Sequence, residues 1–197
     1  NTIRKIKHGF SPFKHQYNSW YSLLEQNKSI VVTSGTGSGK TECFMYPVLS
    51  DLYEQGRTNA IEAIFLYPLN ALMEDQKKRL NEYCEATGLH FAVYNGDTPE
   101  YHADGRNETL KNEITTRVQI REQSTRPEIL LTNPSMLEYI LVRQKDQDML
   151  KESAGKLRWI IIDEAHSYSG SAAVELAYQI KRILEAFETT PEQVRFA

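Results

Sequence analysis

Short apolar runs alternate along the chain with longer stretches of helical period. The runs 29–33, 63–67, 91–94, 129–132 and 159–162 read as strands, and 194–196 opens another. They are almost continuously apolar and rich in β-branched residues. A strand with one wet face alternates polar with apolar; these do not, so both faces are expected to be buried, as in a parallel sheet covered by helices. Between them, Leu72, Met73, Leu80 and Tyr83 mark a helix over 71–83, with Gly88 placed to end it in the left-handed region. Ala173, Leu176, Ala177, Ile180, Ile183, Leu184 and Phe187 recur at three- and four-residue steps and mark a last helix. Ser11-Pro12 is an N-cap and first-turn signal for an opening helix that reaches Leu24. Such alternation predicts a three-layer α/β domain, a mostly parallel central sheet flanked by helices with right-handed crossovers.

The polar stretches 100–126 and 144–156 read as surface excursions, the first with an amphipathic helix around Leu110, Ile114, Val118 and Ile120. No repeat or Gly/Ser/Pro linker divides the chain, so 1–197 reads as one domain. It starts without Met and stops inside a strand-like run, and is expected to be a piece of a longer protein.

Composition narrows the classes. At 40% hydrophobic and 25% charged, the 197 residues exclude disorder and fibrous repeats. Lys and Arg total 23 against 26 Asp and Glu, a net charge of −3. A small basic DNA-coating protein is thereby excluded, and any grip on nucleic acid must be local. Two cysteines, Cys43 and Cys84, are too few for a disulfide framework, which points to a reducing, cytoplasmic setting. The histidines lack zinc spacing. No apolar run approaches the roughly 20 residues that span a bilayer, and no signal-peptide core follows the N-terminus, so no membrane partner is expected.

The chemistry begins after the first apolar run. Gly35-Thr36-Gly37-Ser38-Gly39-Lys40-Thr41 leads directly into a helix-compatible segment. Glycines let the backbone turn its N–H groups inward around a phosphate. Lys40 supplies a point charge to the β- and γ-phosphates, Thr41 a hydroxyl to Mg²⁺, and the helix N-terminus its partial positive charge. Ser34 stands where the general phosphate-loop pattern has glycine. The blander reading, a Gly/Ser loop capping a strand, leaves the agreement of loop, Lys-Thr pair and flanking elements unexplained. Far downstream, Asp163-Glu164-Ala165-His166 follows the run 159–162, at a strand end where α/β proteins bind ligands. Asp163 can hold Mg²⁺ opposite Thr41, and Glu164 can orient and deprotonate the water that attacks the γ-phosphate. Alone, an acidic pair there is unremarkable and His166 reads as a loop histidine. Behind a phosphate loop, the pair is the second half of a nucleoside triphosphate site.

Taken together, these residues resemble the N-terminal RecA-like motor domain of superfamily 2 helicases in their DEAH-box form, whose first motif accepts serine at position 34. The resemblance runs over nearly the whole chain. It implies ATP and Mg²⁺ as ligands, with Thr36, Gly37, Ser38, Gly39, Lys40 and Thr41 as the phosphate loop. Phe10-Ser11-Pro12-Phe13-Lys14-His15-Gln16 is similar to the adenine-recognising region, where Gln16 would bond the base edge and Phe10 or Phe13 stack on it. His166 would take part in coupling. Tyr67-Pro68-Leu69-Asn70-Ala71-Leu72, Asn95-Gly96-Asp97-Thr98 and Thr132-Asn133-Pro134-Ser135-Met136-Leu137 are similar to the segments that track nucleic acid. Pro68, Asn70, Gly96, Asp97, Thr132, Asn133 and Pro134 would meet the sugar-phosphate backbone without reading bases. The blander reading makes them ordinary turn and cap residues.

The wording of these segments resembles bacterial and yeast DNA-repair helicases with a cysteine-rich C-terminal region, and anti-phage helicases such as that of the Druantia system. That implies DNA rather than RNA as partner, and a second RecA-like domain of the same chain that closes the ATP site. The length between Thr98 and Arg126 departs from the repair-helicase spacing. The alternatives are an RNA helicase, a phosphate-loop kinase or signalling NTPase without nucleic acid, and an ATP-binding remodelling subunit that does not unwind. Lys77-Lys78-Arg79 reads as a solvated helix face; Cys43, Trp20 and Trp159 read as packing residues.

Overall fold

The computed structural model describes residues 11–33, 35, 37–102 and 109–197. Its centre is a parallel sheet of β1 (Ala63–Leu66), β2 (Phe91–Tyr94), β3 (Ile129–Thr132), β4 (Trp159–Ile162) and β5 (Arg195–Phe196), ordered β2-β3-β1-β4-β5. The helices are α1 (Lys14–Trp20), continued by a π-helical turn over Tyr21–Glu25, then α2 (Lys40–Gln55), α3 (Asn70–Thr87), α4 (Arg117–Arg121), α5 (Pro134–Val142), α6 (Gln147–Glu152) and α7 (Ser171–Ala186).

The expected burial of both sheet faces is met, and the strand period divides the core in two. Phe65, Phe91, Leu131, Trp159 and Ile161 pack under Trp20, Phe44, Tyr46, Leu49 and Leu80. Ile64, Leu66, Ala92, Leu130 and Ile160 pack on the other side against Leu137, Ile140, Leu176, Ile183 and Phe187. Helices α1 to α3 therefore cover one face and α5 to α7 the other, which is the three-layer arrangement.

Register decides where the loops meet. Leu66 pairs with both Thr132 and Ile162, and Tyr94 with Thr132. These four residues end their strands in one row, so the segments beginning at Tyr67, Asn95, Asn133 and Asp163 leave the sheet along one rim.

Four expectations are corrected. The opening helix starts at Lys14 with Phe13 as its cap, not at Ser11-Pro12, because the Phe13 N–H donates to the Gln16 side chain at 2.9 Å. Residues 29–33 form no assigned strand. The Ile30 N–H reaches the Phe196 carbonyl at 2.9 Å, but the Phe196 N–H goes to the Ser29 hydroxyl at 3.0 Å, so a side chain takes the place of the next ladder bond. Among the described residues of the excursion 100–126, the helix is the five-residue α4, which holds Val118 and Ile120 but not Leu110 or Ile114. The triplet at 77–79 is not simply solvated: Lys77 lies 2.8 Å from Glu74 and 3.3 Å from Glu113, and Arg79 bonds Glu42.

Candidate nucleotide and nucleic-acid site

The segment 29–33 runs beside β5, and β5 lies beside β4, which brings Val32 and Thr33 to a cleft that Asp163 also lines. Gly37 and Gly39 have φ of 74° and 77°, the left-handed region that costs a side chain energy. Gly39 caps α2, and Lys40 and Thr41 are the first two residues of that helix. Helix α1 lies directly behind the loop. Gln16 is buried and donates from Nε2 to the Gly39 carbonyl at 3.0 Å; a Cβ on residue 39 would collide with that nitrogen. His15 Nε2 lies 3.0 Å from the Ser38 carbonyl, and the Trp20 indole donates to the Glu42 carbonyl at 2.8 Å.

A cavity of about 500 Å³ opens between these elements, lined by Val32, Thr33, Lys40 and Phe44 on one side and by Asp163, Glu164 and His166 on the other. The glycine loop's lysine and the acidic pair thus share a cleft. Burial pushes the Asp163 carboxyl above its ordinary range, and the charge of Glu164 adds to this; the Glu164 N–H and the charge of Lys40 pull the other way. One Asp163 oxygen accepts the Glu164 N–H at 2.9 Å. Glu164 has φ of 50°, and its carboxylate lies 3.2 Å from Nδ1 of the exposed His166. Of the expected nucleotide residues, Thr36 lies outside the described residues, as do Ser34 and Phe10. Phe13 is 61% exposed and stacks on His15 with centroids 5.7 Å apart.

Along the same rim, Asn70 begins α3 and Asn133 caps α5. Asn133 Nδ2 donates to Asn70 Oδ1 at 2.9 Å, while its Oδ1 accepts the Met136 N–H at 2.8 Å. Pro134 follows as the first residue of α5, and Pro68 is half-buried beside Asn70. A second cavity of about 390 Å³ joins Asn70 to Asp97. The loop 95–98 is a closed Asx turn. Asn95 Oδ1 accepts the N–H groups of Asp97 and Thr98, and Arg117 holds the carbonyls of Asn95 and Gly96. Gly96 and Asp97 are exposed at its tip. Thr132 is a correction: it is fully buried and its hydroxyl donates to the Tyr94 carbonyl at 2.7 Å, so it binds the strands together and presents nothing to a ligand.

Three contacts escaped sequence reasoning: His15 on the loop, Arg79 on Glu42, and Asp51, which accepts from Arg158, Trp159 and Arg195. All join residues far apart in sequence, and none has a spacing signal.

Residues 13–197 match the family model described as DEAD/DEAH box helicase. The chain belongs to that family. It is 33% identical over 174 residues to the uncharacterized ATP-dependent helicase YprA of Bacillus subtilis, a match over 87% of this chain and 20% of YprA. It is 25% identical to the Druantia protein DruE of Escherichia coli, over 93% of this chain and 15% of DruE. Its fold superimposes on a crystal structure of the DUF1998 helicase MrfA bound to DNA with a TM-score of 0.74 and 27% identity, over all of this chain and 25% of MrfA. The chain thus spans a quarter or less of the length of these three proteins. The RecA-like parallel α/β architecture and the kinship with Druantia-type proteins agree with the resemblance read from the sequence. No helix among the described residues is long and apolar enough to cross a membrane.

Proposed function

We propose that this chain is the ATP-binding part of an ATP-driven DNA helicase or translocase. One observation carries the reading: Lys40 and the Asp163-Glu164 pair, remote in sequence, line the same cleft. There the loop N–H groups and Lys40 would hold the β- and γ-phosphates, and the start of α2 would add its dipole. Gln16, buried here with its amide bonded to Phe13 and Gly39, would have to be uncovered to meet a base edge beside Phe13. Mg²⁺ fits the donor set of Thr41 and Asp163. The second Asp163 oxygen has no protein partner among the described residues, and a cation would relieve the burial and repulsion that raise its carboxyl. Such an ion would take most of its ligands from phosphate and water. Once bound, it supplies charge neutralisation at the β- and γ-phosphates.

Glu164 is the base in this reading. Its carboxylate accepts a proton from water as the water oxygen bonds to the γ-phosphorus, and the bond to ADP breaks. His166, beside that carboxylate, would pass the nucleotide state to a neighbouring domain. Pro68, Asn70, Gly96, Asp97, Asn133 and Pro134 would carry the nucleic-acid backbone along the rim. MrfA bound to DNA favours DNA over RNA for this chain. A second RecA-like domain of the same chain would close the cleft, and the 197 residues alone would bind nucleotide but hydrolyse it feebly. Kinship with DruE makes phage defence one setting for such a motor, and DNA repair the other.

The test is ATPase of the full protein with single-stranded DNA, duplex DNA and RNA, beside Lys40→Ala and Glu164→Gln. DNA is expected to stimulate turnover, and each variant to lower it by about 10²-fold or more. Turnover indifferent to every nucleic acid would reject the motor reading; stimulation by RNA alone would move it to an RNA helicase.

A further inference from the structure

We propose that Arg79 is a positioning residue of the nucleotide site: from α3 it holds and cancels the Glu42 carboxylate behind the phosphate loop, and so keeps the loop attractive to phosphate. The inference rests on the nucleotide site proposed above. Between residues 34 and 41 the sequence supplies one charge, Lys40, and Glu42 follows directly with the opposite sign. Glu42 lies in the first turn of α2. A helix N-terminus carries roughly half a positive charge, so a full carboxylate there outweighs it. The carboxylate is also close to the loop, on the side where Gln16 lies. A Cβ on Gly39 would stand 3.3 Å from Glu42 Oε2, and the Glu42 side chain is only 12% exposed, so water screens it little. Across the cleft, Asp163 and Glu164 add two further acidic groups. Left uncompensated, Glu42 would repel the phosphates that Lys40 and the loop attract.

Arg79 supplies the compensation. Its Nη2 donates to Glu42 Oε1. The arginine comes from a fixed support, because Met73, Leu80 and Tyr83 pack α3 into the same core as Phe44 and Met45 of α2. Of the basic triplet at 77–79, Lys77 turns instead to Glu74 and Glu113. The charge of Arg79 reaches the rim as well. Burial chiefly pushes the Tyr67 hydroxyl up; the charge of Asp163 adds to this, and that of Arg79 opposes it. Arg79 and the acidic loop thus act on one place. With Lys40 and Arg79 set against Glu42, loop and first turn carry one net positive charge; without Arg79 they carry none.

The arginine is half-exposed and its ion pair adds little to folding, so its replacements report on binding. Binding of adenosine, ADP and ATP to the full protein with Mg²⁺ is measured by displacement of a fluorescent ADP. Arg79→Gln is expected to weaken ADP about fivefold and ATP about tenfold, with adenosine within about twofold, because the lost attraction scales with phosphate charge. Arg79→Lys keeps the charge and is expected to stay within about threefold of the parent. Glu42→Gln removes the repulsion and is expected to bind ADP about threefold more tightly than the parent. Glu42→Gln added to Arg79→Gln restores the net charge, and should return ADP to within about twofold of the parent. The inference is overturned by unchanged ADP binding in Arg79→Gln, by a loss that adenosine shares, or by a double variant no better than Arg79→Gln. Glu42→Gln tests the same claim by itself, and ADP affinity there no tighter than the parent's also overturns it. Lys40→Ala is the separate control. If it binds ADP like the parent, the nucleotide site falls and the inference with it; if it loses ADP while Arg79→Gln does not, the inference alone falls.

Discussion

At the scale of single residues, the glycines of the phosphate loop differ in what they tolerate. Gly37 and Gly39 are both left-handed, but a Cβ at Gly37 meets open space, whereas one at Gly39 falls on the Gln16 amide. Gly37→Ala therefore faces only backbone strain, about 1–2 kcal/mol. Gly39→Ala adds displacement of a buried amide, and is expected to lose about 1–3 kcal/mol more in urea denaturation. Asp163 yields a pH signature. Its carboxyl sits above the ordinary 3.8, so it holds its proton to higher pH than an exposed aspartate. Binding of Mg²⁺-nucleotide needs the carboxylate, so on acidification affinity should fall at a pH above 3.8. Titrating ADP with and without Mg²⁺ across pH 4–7 checks this, and Asp163→Asn should remove the Mg²⁺-dependent part.

Between elements, ion pairs differ in worth according to burial. Arg79 ties α3 to Glu42 on α2, but the arginine is 41% exposed, so the pair contributes no more than about 1 kcal/mol. Asp51 is another matter. From α2 it accepts two bonds from Arg158, one from the Trp159 indole and one from Arg195, whose guanidinium also lies 3.9 Å above the Trp159 ring. This fastens α2 to β4 and β5, and so sets the phosphate-loop helix against the strand that carries Asp163. Burial alone would raise the Asp51 carboxyl; the bonds from Arg158, Trp159 and Arg195 outweigh it and hold it below 3.8. With a depressed folded value, its stabilisation is present above pH 3.8 and is lost as pH falls through the folded value. Asp51→Ala should cost about 3 kcal/mol at pH 7 by leaving two guanidinium groups partly buried without a partner. Equilibrium unfolding of parent and variant at pH 7 and near pH 3 should show the gap narrowing in acid.

For the whole molecule, ligand binding should appear as stability. At a hundredfold excess of nucleotide over Kd, the native state gains about 2.7 kcal/mol, read as a higher melting temperature. Lys40→Ala should abolish that gain without changing the melting temperature of the free protein. The apolar runs at 63–66, 91–94, 129–132 and 159–162 were legible as strands, because burial on both faces leaves no room for polar residues. The glycine loop and the acidic pair were legible because phosphate and water chemistry demand particular groups at short spacing. The run 29–33 was misread: Ser29 replaces a ladder bond, and propensity cannot see a partner. Thr132 was misjudged for a similar reason. A threonine at a strand end has the same letters whether its hydroxyl meets solvent or the next strand's carbonyl, and only the pairing of β2 with β3 chose the latter. Local chemistry and period thus determined which segments are strands, helices and ligand loops. The tertiary structure alone decided that four strand ends share a rim, that Lys40 faces Asp163, and that α1 stands behind the loop, because contacts between distant segments depend on register and packing, which no short window of sequence contains.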